Sequence, residues 1–80
     1  MPYPNEHACR LRDPDDFKPR SFRRGRRRHN GKIYSIIFGR LKAKNTTTEQ
    51  AYRYGKDTWT AAEARGHCSD HGGSFEAASD

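Results

Sequence analysis

The stretch HNGKIYSIIFGRL, residues 29–41, decides how the rest of the chain folds. Asn30-Gly31 is the strongest short hairpin signal, because both residues tolerate the positive φ of a tight two-residue turn. The segment after it is rich in β-branched and aromatic side chains. Period-two alternation places Ile33, Ile37 and Leu41 on one face and Tyr34, Ile36 and Phe38 on the other. A strand that is apolar on both faces belongs in the middle of a sheet. It therefore needs two partners. Ser21 to Arg28 is the partner before the turn, and TTTEQAYRY (46–54) is the partner after it, reached through the Lys-rich turn KAKN.

The first partner is also the most charged part of the chain. PRSFRRGRRRHNGK, residues 19–32, carries seven basic residues and no acid. From Phe17 to Thr48 there are eleven bases and no acid; elsewhere there are five bases and ten acids, so +11 and −5 give the net +6. Charge segregated in this way predicts a dipolar surface with one positive face. As the edge of a sheet, the Arg-rich segment has a structural reason for its charge, since cations on an edge deter sheet-to-sheet pairing. Gly25 within it suggests a bulge or kink.

Outward from the hairpin, DTWTAAEARGHCSDHGG (57–73) is a helix signal. Thr60 fits the N-cap and Glu63 completes a capping box. Trp59 and Ala64 are placed for a hydrophobic staple, and Gly72 for the C-terminal cap. Ala61, Ala64, Cys68 and His71 share one face at helical spacing. ACRL (8–11) reads as a short strand with Cys9 and Leu11 on one side, RDPDDF as an Asp-Pro turn, and SFEAA as a short last strand. The predicted fold is α+β: a three-stranded antiparallel meander, one C-terminal helix packed on the sheet and short terminal strands. It is one small domain over 1–80, with 1–7 and 79–80 loose. A chain of 80 residues, only 31% hydrophobic and with a mean hydropathy of −1.25, has a thin core.

Three chemistries follow from the residues. The basic segment suits nucleic-acid backbone, because guanidinium forks match phosphate oxygens and stay charged. The expected phosphate contacts are Arg20, Arg23, Arg24, Arg26, Arg27, Arg28 and Lys32, with Lys42 and Lys44 at the opposite turn secondary; the partner is DNA or RNA backbone without sequence readout. The same charge is also what a solvated edge, or a surface for an acidic protein, would carry. The second chemistry is zinc. His7, Cys9, Cys68 and His71 form a Cys₂His₂ set if the termini meet, although tight C-x₂₋₄-C pairs are absent. Against it, Cys68 on the apolar face reads as a buried small hydrophobe and His71 as a cation favouring the helix dipole. Two cysteines are too few for a disulfide framework, so Cys9 and Cys68 are expected as thiols in a reducing compartment. The third is catalysis, and no Gly-rich phosphate loop, G-x-S-x-G elbow or H-E-x-x-H is present. A non-enzymatic protein without cofactor or small-molecule substrate is expected. No apolar run approaches the ~18 residues of a membrane span, and the N-terminus shows no signal-peptide pattern.

EHACRLRDPDDF, SFRR, GKIYSIIFGRLK, TEQAYRY, WTAAEAR and HGGSFEAA, in that order from Glu6 to Ala78, resemble a small module of tailed bacteriophages and prophages. That module occurs alone or attached to head-assembly proteins of the prohead-protease-like kind. The resemblance implies a phage accessory protein in the host cytoplasm or the virion, not secreted, with a phage head protein as an alternative partner. It brings no functional residues. Similar sequences often have large apolar residues where this chain has His67 and Cys68, which counts against zinc. The run RRGRRRH is more basic than the module leads one to expect, so phosphate binding would belong to this version of it.

Overall fold

The computed structural model describes residues 4–78. Five strands and one helix follow one another as β1 (Glu6–Arg10), β2 (Arg23–His29), β3 (Lys32–Arg40), β4 (Thr47–Gly55), α1 (Ala61–Asp70) and β5 (Ser74–Glu76), with one 3₁₀ turn at Pro14–Asp16. All strands lie in a single antiparallel sheet, in the order β2-β3-β4-β1-β5. The meander β2-β3-β4 is as expected, but the sheet has five strands, not three. The terminal strands extend it: β1 inserts between β4 and β5, where His7, Ala8 and Cys9 are buried. Glu6 and His7 belong to β1. The expectation of looseness at 1–3 and 79–80 lies outside the described residues.

The β2–β3 hairpin closes as the sequence requires. Asn30 and Gly31 have φ of 51° and 80°, the mirror-image turn that matches strand twist. Gly25 marks no bulge. The β2–β3 register runs unbroken from Arg23↔Phe38 to His29↔Lys32. Glycine is there because the Phe38 ring lies over it, and a Cβ would come within 2.9 Å of Phe38 Cε2. The register shift falls instead between Ile37 and Phe38 against β4. It skips Gln50, whose carbonyl accepts the backbone N–H groups of Leu11 and Arg12 and whose side chain donates to the Arg12 carbonyl. The irregularity fastens the chain that leaves β1.

Helix α1 covers one face of the sheet. Thr60 caps it, its hydroxyl accepting from the Glu63 N–H while the Glu63 carboxylate accepts from the Thr60 N–H. The core between helix and sheet is built from Cys9, Tyr34, Ile36, Tyr52, Tyr54, Trp59, Ala64 and Cys68. It is aromatic rather than aliphatic, which is how few apolar residues fill the space. The helix is rotated relative to the expected face. His67 is buried and His71 is exposed, so the inward residues are Ala64, His67 and Cys68.

Cys9 and Cys68 are joined in a disulfide, with Cα atoms 5.5 Å apart. This corrects both readings of the cysteines. They are not free thiols, and sulfurs bonded to each other are not available as the thiolate ligands of a zinc set with His7 and His71. The histidines are committed as well. His7 Nε2 donates to the Trp59 carbonyl and its Nδ1 accepts from the Ala78 N–H, while His71 Nδ1 donates to the His67 carbonyl. Among the described residues no three His, Cys, Asp or Glu side chains are grouped to hold a metal, and no helix is long and apolar enough to cross a membrane.

Candidate nucleic-acid interface

Strand β2 has a neighbour on one side only, so the Arg-rich segment is the edge of the sheet and not a free arm. Its seven residues extend about 23 Å. Period two divides its side chains. Residues directly opposite in an antiparallel pair point to the same face. Arg23, Arg27 and His29, opposite Phe38, Tyr34 and Lys32, therefore lie on the helix-covered side. Arg24, Arg26 and Arg28, opposite Ile37, Ser35 and Ile33, lie on the open side. The expected single positive face is corrected to a positive edge, with arginines projecting above and below it.

Three of the nine expected contacts meet the protein's own carboxylates. Arg24 bridges to Glu6 across β3 and β4, Arg27 bridges to Glu49 at 3.1 Å, and Lys32 bridges to Glu63. These pairs are at the surface, where an ion pair is worth about 0–1 kcal/mol, so a phosphate can compete for each cation. Among the described residues Arg20, Arg23, Arg26, Arg28, Lys42 and Lys44 make no ion pair, and all six are exposed. Arg20 stands in the turn ahead of β2. Lys42 and Lys44 stand in the β3–β4 turn, at the end of the sheet away from Asn30-Gly31. The cations thus run from one end of the edge to the other.

Two further groups of residues adjoin this surface, and of their members only Lys32 is among the contacts expected from the sequence. On the open face Arg53 and Arg10 stand beyond the β2 arginines, around a depression of 590 Å³ whose lining includes Ala8, Ile37 and Ala51. Both lie outside the basic span. Their signal was the register, in which Arg53 is opposite Ser35 and Ser35 is opposite Arg26. On the covered face a groove of 390 Å³ separates the Asn30-Gly31 turn from α1, with His29, Lys32, Trp59, Gly66 and Asp70 in its walls. The His29 ring lies nearly parallel to Trp59, with centroids 6.2 Å apart and planes at 19°. Lys32 Nζ is 5.9 Å from the Trp59 ring centre.

The groove is backed by a buried polar pair. The Tyr54 hydroxyl donates to His67 Nδ1 at 2.6 Å. Burial, followed by the neighbouring His71 and His29, lowers the His67 pKa to about 4, so the ring is neutral and its Nδ1 serves as the acceptor of the Tyr54 hydrogen bond. Burial likewise raises the Tyr54 hydroxyl. At the rim, hydrogen bonds from Lys32 and then Thr60 lower the Glu63 carboxyl to about 2. His67 is hydrogen-bonded to Tyr54, and the two cysteines are bonded to each other. No protein family, no characterised protein and no solved structure matches this chain.

Proposed function

We propose that this protein binds nucleic acid without catalysing a reaction, holding the phosphate backbone along β2 and its two flanking turns. The observation that carries the reading is the edge itself. Five guanidinium groups stand exposed within one seven-residue strand, and three of them, Arg23, Arg26 and Arg28, have no carboxylate partner among the described residues. Contacts of this kind position a protein on its ligand and do not read sequence. The resemblance of the sequence to a phage module suggests an accessory role in a phage or prophage. The disulfide favours the virion over the host cytoplasm, because cytosolic thiol pools keep such bonds reduced.

A salt titration tests the proposal. Binding to random-sequence oligonucleotides is expected near 50 mM salt and to fall steeply by 200 mM. Replacing Arg23, Arg26 and Arg28 together with Gln is expected to lower the slope of log affinity against log salt by about 2–3, close to one for each phosphate that is no longer neutralised. Fold should be retained, since all three side chains are exposed. Absence of binding at low salt, or an unchanged slope in the triple variant, would refute the assignment.

A second reading rests on the same edge. The outward N–H and C=O groups of β2 could pair with an extended acidic segment of a phage head protein, adding a strand to the sheet. Protection of alternate β2 amides from hydrogen exchange by an acidic peptide, with no oligonucleotide binding, would put this reading first.

A further inference from the structure

We propose that the groove between the Asn30-Gly31 turn and α1 receives one unpaired base of a single-stranded nucleic acid whose phosphates lie along β2. This rests on the nucleic-acid reading above and narrows it to single strands.

Position is the first argument. His29 is both the last residue of the basic strand and a wall of the groove, so a backbone tracked along β2 arrives at the opening. Lys32, on the far side of the turn, supplies a cation at the same place. Its bridge to Glu63 is exposed and readily exchanged for a phosphate. Chemistry is the second. A base needs a flat apolar surface and polar groups at its edge. The exposed His29 ring provides the surface, and the buried Trp59 ring stacked behind it holds it flat. Asn30, Glu63 and Asp70 provide donors and acceptors at the rim.

Gly66 is the third argument, and it is independent of charge. It occupies the middle of α1, where glycine costs about 1 kcal/mol relative to alanine. Packing does not demand it, because a Cβ built there meets nothing within 4 Å. It lines the groove, and its missing side chain leaves that wall bare. A base in a duplex would have to leave its stack to enter, at a cost of a few kcal/mol, whereas a single strand offers one freely.

Trp59 is the only tryptophan, so its emission reports on the groove. The probes are an eight-nucleotide single-stranded DNA, an abasic strand of the same length and charge, and a duplex, all at 50 mM salt. The single strand is expected to quench Trp59 and to bind about tenfold more tightly than the abasic strand, the equivalent of one stacked base. The abasic strand and the duplex are expected to bind without quenching. His29→Ala and Gly66→Leu should each bring the single strand down to the abasic affinity while leaving abasic binding unchanged, and Gly66→Ala should keep the fold as a control for helix propensity. Equal affinity for the two strands with unchanged emission would overturn the base site and leave the backbone reading standing. So would wild-type quenching in both His29→Ala and Gly66→Leu. Failure of every probe to bind would overturn both.

Discussion

His67 carries the pH dependence of the core. It is 5% exposed and sits among rings, with centroids 4.6 Å from Tyr34 and 4.4 Å from His71. Burial first, then the neighbouring imidazoles of His71 and His29 and the Arg27 guanidinium, hold its pKa at about 4, with only Asp70 opposing. In the unfolded chain the ring titrates near 6.5. Between those values the unfolded state binds the extra proton. Stability from this residue is therefore intact above pH 6.5 and is lost as pH falls toward 4, by up to about 3 kcal/mol. Urea midpoints are expected to be flat from pH 8 to 7 and to decline between pH 6.5 and 4.5. His67→Phe should remove that decline, and an unchanged decline would assign it to other groups. Glu63 works in the opposite chemical sense but in a lower window. Its depressed carboxyl favours the fold above about 4.5, and that contribution disappears as pH falls toward 2.

Helix α1 shows how an element can be legible at its ends and obscure in its middle. Ten residues with a central glycine are too few to be helical alone. The capping box and Gly72 at φ 73° hold the ends, and both were readable because they depend on neighbours in sequence. Thr60→Ala is expected to cost about 1 kcal/mol, seen as a lower melting temperature with unchanged helix content at 25 °C. The hairpin was readable for the same local reason, through Asn30-Gly31. The inward turn of His67 was not, because a histidine counts as polar until Tyr54 is known to lie opposite its Nδ1. Gly25 was misread because its reason is the Phe38 ring on the next strand. For the basic edge, the residues were visible and their division between two faces followed only from the register with β3.

At the scale of the whole molecule, the choice of β1 as an inner strand determines what holds the chain together. Nothing local in EHACR specifies insertion between β4 and β5; the closure comes from Cys9 meeting Cys68 over 59 residues of sequence. In the chain-entropy account a loop of that length contributes about 4 kcal/mol. A domain of this size has a total stability of roughly 4–12 kcal/mol, so one bond supplies a large share of it. The two sulfurs are packed against Gly73, where a Cβ would lie 2.3 Å from Cys9 Sγ. The double variant Cys9→Ala/Cys68→Ala is accordingly expected to be less stable by about 2–5 kcal/mol, measured by urea denaturation, and the wild type in reducing agent should match it. The bond ties β1 to α1, with β4 and β3 between β1 and the basic edge β2. The fraction of reduced protein that stays folded should then bind oligonucleotides with the same salt slope as the oxidised protein. A slope that changed on reduction, with the fold intact by circular dichroism, would mean that β2 and the disulfide are mechanically coupled and that the edge is not the self-contained surface its place in the sheet makes it.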